Sequence, residues 1–372
     1  MPIKKPVLPS IIFTVTNDLL YDQRMIPICT SLSRNGYDIT LIGRKLPGST
    51  PLPGMPFRQK RLTCFFNKGK LFYAEFNARL FFCLLFQKSD VICAIDLDTI
   101  IPCYVISSLK GTKRVYDAHE YFSQQKEVLS RPFIYRCWHW IEKKFIPLFP
   151  KGYTVSGSLA RAFKEQYGAA FEVIRNLPVL NENKFQQATD SGNKIILYQG
   201  AVNESRGLEY LVPAMKDIDA ELHIYGDGNF MPQVKQIIFA NNLQNKVFIK
   251  GKLEPGALKQ VTGQATIGIN LVENSGLNQY YSLANKFFDY IQHAIPQVTM
   301  NYPEYEQVNK EYEVAVLINN LQPQTIAGAI NRLLKDEALY NRLRNNCVEA
   351  RKEYNWQAEE KKLLAFYRNI IG

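Results

Sequence analysis

Residues 11–42 read IIFTVTNDLLYDQRMIPICTSLSRNGYDITLI. Ile11-Ile12-Phe13-Thr14-Val15 has the continuous apolar character of a strand buried on both faces. Residues 23–35 follow as a helix and stop at Gly36, where a helix commonly ends. Asp38-Ile39-Thr40-Leu41-Ile42 is a second strand, which completes a βαβ unit. Working outward, Val91-Ile92-Cys93-Ala94, Arg114-Val115-Tyr116, Tyr153-Thr154-Val155-Ser156 and Phe171-Glu172-Val173-Ile174 read as further strands. Ser156 or Ser158 can cap a helix that runs to about Tyr167. The pattern is that of a doubly wound parallel sheet.

Residues 181–193 are polar and poor in apolar side chains, and they read as a linker. The alternation then restarts, with strands at 194–198, 221–225, 247–249, 267–270 and 314–317 and helices over 206–215, 231–241, 255–262 and 282–293. No repeat of fixed period is present. The expected fold class is α/β, with two Rossmann-like parallel-sheet domains in tandem at 1–180 and 194–355. In that architecture a ligand sits in the cleft between the carboxyl ends of the two sheets.

A chain of 372 residues exceeds what one core usually serves, which agrees with two domains. With 46% hydrophobic and 21% charged residues, the composition excludes a disordered, collagenous or coiled-coil chain. Seven scattered cysteines without a C-x-x-C pair argue against a zinc site or a disulfide framework and fit a reducing cytosol. The five-residue apolar run near the start is too short for the core of a signal peptide, and no run reaches the length of a spanning helix. The expected protein is soluble or peripheral. Its net charge of +11 is uneven: residues 1–180 hold 25 Lys and Arg against 13 Asp and Glu, and residues 181–372 hold 20 against 21. A first half at +12 faces something anionic, either lipid, nucleic acid or a phosphorylated substrate.

Four segments carry the chemistry. Tyr198-Gln199-Gly200-Ala201-Val202-Asn203-Glu204-Ser205-Arg206-Gly207-Leu208 is a strand, a glycine turn and a helix start. Such a turn lets backbone approach a ligand, and a cation near a helix N-terminus pairs with a phosphate already drawn by the helix dipole. Tyr225-Gly226-Asp227-Gly228 and Lys250-Gly251-Lys252-Leu253 each end a strand. In Asn278-Gln279-Tyr280-Tyr281-Ser282-Leu283-Ala284-Asn285-Lys286-Phe287-Phe288-Asp289-Tyr290, Ser282 can cap the helix and leave free amides for an anion. Lys286 then falls in the first turn, where a cation opposes the helix dipole and an anionic ligand would remove the conflict. Tyr116-Asp117-Ala118-His119-Glu120 follows a strand, so His119 stands at a carboxyl end. Plainer readings exist: a surface arginine on a βα turn, tight glycine turns, an amphipathic core helix and a structural histidine.

These segments occur in the order found in GT-B-fold retaining glycosyltransferases of family 4, the glycosyltransferase group 1 type. The resemblance extends from Asn17-Asp18-Leu19-Leu20-Tyr21-Asp22-Gln23-Arg24 to Tyr354-Asn355-Trp356. It implies a sugar transferred from a nucleoside-diphosphate donor to a hydroxyl. His119, Arg206 and Lys286 would be catalytic. Gly200, Gly226, Gly251, Leu253, Ser282, Leu283, Ala284, Asn285 and Asp289 would bind the donor, and Asn17, Asp22 and Glu120 would stand on acceptor or cleft loops. Arg206 and Lys286 grip the diphosphate, Asp289 meets the ribose, and main-chain groups at residues 251–253 read the base. Two departures stand out: Ala201 replaces the family's first cation, and Tyr281 its first acid. The resemblance also implies that the last helix, at 356–370 within a segment 356–372, packs back on the first domain. No metal and no cofactor beyond the donor substrate is expected. Asp96-Leu97-Asp98 has the spelling of a metal motif but reads as an exposed loop.

Residues 57–88, FRQKRLTCFFNKGKLFYAEFNARLFFCLLFQK, hold seven Lys and Arg, the single Glu75 and nine Phe or Tyr. They read as a basic aromatic helix on an anionic membrane surface, or as a core helix with a basic outer face. No nucleic-acid module fits the twin-Rossmann chain, so nucleic acid is not an expected partner. The acceptor is expected to be lipid-linked or a membrane-proximal glycan. The location would be cytoplasmic, peripheral on the inner membrane leaflet. Rival readings are a nucleotide-sugar epimerase of the same fold and an inactive nucleotide-sugar-binding subunit.

Overall fold

A computed structural model describes residues 8–180 and 194–372, so the expected linker lies outside the described residues. Two compact units divide the chain: Met1–Asn176 with Ala358–Gly372, and Leu177–Gln357.

In the first unit, strands β1 (Ser10–Thr14), β2 (Asp38–Lys45), β3 (Arg58–Thr63), β4 (Val91–Ile95), β5 (Lys113–Ala118), β6 (Gly152–Thr154) and β7 (Glu172–Val173) form one sheet in the order β3-β2-β1-β4-β5-β6-β7. Every pairing is parallel. β1 and β4 are covered on both faces, which is why Ile11, Phe13, Val91 and Cys93 are almost wholly buried. The chain reverses its direction of travel across the sheet between β1 and β4, the place where such folds build sites. The Gly157–Tyr167 helix is capped by Ser156, whose Oγ accepts the Leu159 amide at 3.3 Å.

Residues 57–88 do not form one helix. Arg58-Gln59-Lys60-Arg61-Leu62-Thr63 is the edge strand β3, a polar sequence that pairs along β2 from Thr40 to Lys45. The helix is Gly69–Leu85, and only Lys70 and Arg79 of the seven cations lie on it. It buries Phe72, Phe76, Leu80 and Leu84. Its outward stripe is apolar too: Leu71, Ala74, Ala78, Phe82 and Leu85 are exposed, and Phe65, Phe66 and Phe86 flank them. The outer face is therefore chiefly apolar, with Lys70 exposed at its start and Lys68 and Lys88 beyond its ends, which corrects the basic-face expectation.

The Trp356–Ile371 helix supplies part of the first unit's core. Tyr367 packs edge-on against Phe13 at 5.9 Å, and Phe366 against Tyr153 at 5.0 Å. Glu359 accepts the Arg175 amide at 2.8 Å, and Lys113 donates to the Ile370 carbonyl at 2.5 Å.

In the second unit, β8 (Ile195–Gln199), β9 (Glu221–Tyr225), β10 (Val247–Gly251), β11 (Ile267–Asn270), β12 (Gln297–Met300) and β13 (Ala315–Ile318) run parallel in the order β10-β9-β8-β11-β12-β13. β12 was not anticipated. Its first residue, Gln297, is fully buried and donates to the Phe287 carbonyl at 3.0 Å, so a polar side chain opens a core strand. The reversal point here lies between β8 and β11.

Candidate active site

Three strands of the second unit end in glycines that hold one another. The Gly200 amide donates to Tyr225 O at 3.0 Å, and the Gly226 amide to Gly251 O at 2.9 Å. At Gly226, with φ +148°, a Cβ would lie 1.8 Å from Gly200 O, so only glycine fits. Leu253 follows β10 and is half-buried. The carboxyl end of β8 is thus a floor of main-chain groups.

The Asn285–Gln292 helix lies over that end. Lys286 Nζ stands 4.1 Å from the Tyr198 ring centroid, a cation held on an aromatic face. Desolvation, with the nearby Arg206 charge adding to it, pulls the Lys286 ammonium down to about 7. Arg206 is exposed on the turn after β8. Asp289 Oδ2 accepts from Gln199 Nε2 at 3.0 Å, and Thr262 Oγ1 fixes the other end of that amide at 2.7 Å. Burial raises the Asp289 carboxyl to about 6, against the opposing effects of Lys259 and the Gln199 hydrogen bond. Two cations without a carboxylate between them, one of them desolvated, form a site suited to a polyanion.

The helix start differs from expectation. Ala284, not Ser282, holds the cap position, and no side chain caps the helix. Ser282 Oγ donates to the Gln279 carbonyl at 2.8 Å, and its amide to the same oxygen at 3.2 Å. The Ala284 amide donates to the Tyr305 hydroxyl at 3.1 Å. The amides of Ser282 and Ala284 are therefore engaged, and Tyr305 must move before Ala284 can serve an anion. Leu283, Asn285 and Tyr281 are half-buried beside them. Lys286 itself is half-buried against Tyr198 instead of projecting into solvent.

In the first unit, His119 sits between two carboxylates. Its Nε2 is 3.0 Å from Asp117 Oδ2, and its Nδ1 is 3.7 Å from Asp96 Oδ2. Asp117 is wholly buried and pairs with Arg24 through Nη2 at 2.7 Å and Nε at 3.2 Å. Desolvation works to raise the Asp117 carboxyl, but Arg24 and His119 hold it below its usual range. Desolvation likewise opposes the charged form of His119, and the two carboxylates overcome it and raise the imidazole. Asp96 Oδ1 accepts the His119 amide at 2.8 Å from a residue with φ 52°. Burial pushes Asp96 to about 7 and Asp98 to about 6. Asp98 is buried and accepts from Thr16, which corrects the exposed-loop reading of Asp96-Leu97-Asp98. Asp22 Oδ1 receives the amides of Arg24 and Met25 at 3.1 and 2.8 Å, which opens the Met25–Arg34 helix. Asn17 is exposed and reaches Asp22 at 3.4 Å, while Glu120 is exposed and bonds to Gln125. Arg24 was not singled out in the sequence and Asp96 was read only as part of an exposed loop, because their contacts depend on strands far apart in the chain.

Two parallel sheets of this topology are those of a GT-B fold. Over that fold, the structure superposes on sucrose-phosphate synthase from Thermosynechococcus elongatus with a TM-score of 0.77 at 17% identity, covering 97% of this chain and 99% of that one. Anabaena HepE in complex with UDP and glucose gives 0.75 at 13% identity, covering 96% and 99%. By sequence, 288 residues are 20% identical to alpha-D-kanosaminyltransferase of Streptomyces kanamyceticus, covering 72% of this chain and 73% of that protein. Residues 180–352, within the second unit, match the model of the glycosyl transferases group 1 family.

Proposed function

We propose that the protein is a retaining hexosyltransferase that moves a sugar from a nucleoside-diphosphate donor to a hydroxyl on a lipid-linked or membrane-proximal glycan. The observation that carries this reading is Lys286, desolvated on Tyr198 within the field of Arg206 over a glycine floor. A diphosphate there would restore the lysine's charge, and Asp289 is set to receive ribose hydroxyls. Tyr198 supports Lys286 without offering a nucleophile, since burial raises its phenol. The resemblance accordingly implies front-face substitution: the leaving diphosphate, steadied by Arg206 and Lys286, takes the proton of the incoming hydroxyl. Preorganised charge of this kind is often the largest catalytic contribution. His119, whose imidazole Asp117 and Asp96 raise against desolvation, is assigned to the donor sugar. No metal and no further cofactor is assigned a role.

The HepE structure's UDP makes a uridine nucleotide the first to try. Thermal unfolding with UDP, GDP, ADP and dTDP tests the donor reading, because a ligand that binds only the folded chain raises the transition. No shift with any of them would refute it. Donor consumed without an acceptor would indicate an epimerase, and binding without transfer to any acceptor an inactive subunit, for which Ala201 and Tyr281 are the motive.

Membrane contact is proposed through the Gly69–Leu85 helix. No helix among the described residues is long and apolar enough to cross a membrane. The exposed stripe has a different use: Leu71, Phe82 and Phe86, with Phe65 and Phe66 at one end, can enter the acyl boundary while Lys68, Lys70 and Lys88 meet anionic headgroups. Co-sedimentation with phosphatidylglycerol vesicles but not phosphatidylcholine vesicles is expected, and Phe82→Glu should abolish it.

A further inference from the structure

A second cavity opens in the nucleotide-sugar unit, at the carboxyl ends of β12 and β13. Its volume is about 550 Å³, within the range of small-ligand sites. Lys286 stands over β8, and the cavity reaches from Glu273 and Asn274 after β11 to the end of β13, so at about 4.8 Å per strand it spans roughly 5–14 Å from β8 along the sheet. None of the donor-binding or catalytic residues named above lines this cavity.

The lining combines tyrosine rings and side-chain amides with one carboxylate, Glu273, and the aliphatic Met300, Ile318, Leu321 and Pro323. Tyr210, Tyr280 and Tyr302 present aromatic surface, and the Tyr280 and Tyr302 rings meet at 5.2 Å and 60° to form a corner. Tyr302 is fixed by its hydroxyl, which donates to Val272 O at 2.8 Å. Asn301 and Asn319 follow the ends of β12 and β13, and Asn301 Nδ2 donates to Asn319 Oδ1 at 2.9 Å. That bond orients both amides and leaves Asn301 an acceptor and Asn319 its donors. Glu273 is held by the Ser205 hydroxyl at 2.6 Å and the Tyr210 hydroxyl at 3.3 Å. No Lys, Arg or His lines the cavity, so nothing there neutralises a phosphate. Aromatic faces suit the C–H face of a pyranose, and paired amides suit its vicinal hydroxyls.

We propose that this cavity binds a neutral saccharide unit, apart from the nucleotide-bound sugar. That unit is either a free sugar or one residue of a longer glycan, and the two share the same recognition chemistry. Binding here needs no nucleotide, so it stands or falls separately from the donor reading.

Saturation-transfer NMR on the full chain tests this. The probes are the methyl glycosides of glucose, galactose, mannose and N-acetylglucosamine, and maltotriose. Transfer to at least one probe is expected from the wild type and equally from Lys286→Ala, with at least a fivefold loss in Tyr280→Ala and in Asn319→Ala. Asn319 is exposed, so its variant remains informative if Tyr280→Ala fails to fold. A methyl glycoside that binds alone assigns the site to a single sugar, and binding of maltotriose only assigns it to a glycan chain. Absence of transfer to every probe, or transfer unchanged in Asn319→Ala, overturns the proposal. Transfer lost in Lys286→Ala but kept in Asn319→Ala places the sugar in the donor site and overturns it as well.

Discussion

Lys286 links charge to binding. Desolvation, with Arg206 adding to it, pulls its ammonium down to about 7, and a diphosphate bound there would raise that value again through its own negative charge. Below pH 7 the lysine is charged before and after binding, so affinity is flat. Above it, binding must take up a proton, and affinity should fall by up to tenfold per pH unit until the bound-state value is reached. Isothermal titration of the preferred nucleoside diphosphate between pH 7 and 9 should show this slope, and Lys286→Met should remove it while weakening binding about 10–100-fold. Asp289 makes a different claim. The wild type should bind the natural nucleoside diphosphate more tightly than its 2′,3′-dideoxy analogue, and Asp289→Ala should bind the two alike; equal preference in both proteins would remove Asp289 from the ribose. Lys286 stands out in the sequence because a first-turn lysine is an anomaly that periodicity does not explain, and Asp289 only through the family resemblance. The engagement of the Ala284 amide was not legible, since it depends on Tyr305, which lies in another helix.

At the scale of elements, the Arg24–Asp117 pair ties the start of the Met25–Arg34 helix to β5, and Arg24 Nη1 reaches the Ile174 carbonyl at 2.9 Å. Arg24→Met leaves a buried carboxylate with only His119 beside it, and should cost about 3–5 kcal/mol in urea unfolding. The double variant Arg24→Met with Asp117→Leu should recover most of that loss, because no charge is then stranded. Strands whose residues are apolar throughout, such as Val91–Ile95, could be read directly. β3 could not: a strand with one buried face of a single leucine and three cations carries no β pattern, and only pairing with β2 makes it one. The Gly69–Leu85 helix was misjudged for the opposite reason, since apolar residues on both faces leave no moment to show which side is outward. Phe82→Glu should change unfolding free energy by less than about 1 kcal/mol, as expected for an exposed position away from the core.

For the molecule as a whole, the tandem of two α/β units was legible from the restart of the strand pattern after residue 193. The unit boundary was not a single point in sequence, because Ala358–Gly372 joins the first unit. A chain ending at Gln357 should unfold its first unit at lower temperature in calorimetry, exposing the surface around Phe13 and Tyr153, while the second unit, complete at Gln357, keeps any nucleoside-diphosphate binding. An unchanged first-unit transition would show that the last helix is dispensable there. The same connectivity sets an order of events at the ribosome. The second unit is continuous from Leu177 to Gln357, whereas the first waits for a helix synthesised about 200 residues after β7, which at ~5–20 residues per second is a delay of roughly 10–40 s. During that interval the nascent chain carries an incomplete amino-terminal sheet whose missing wall is still being translated, so the later-made half is the first able to finish folding.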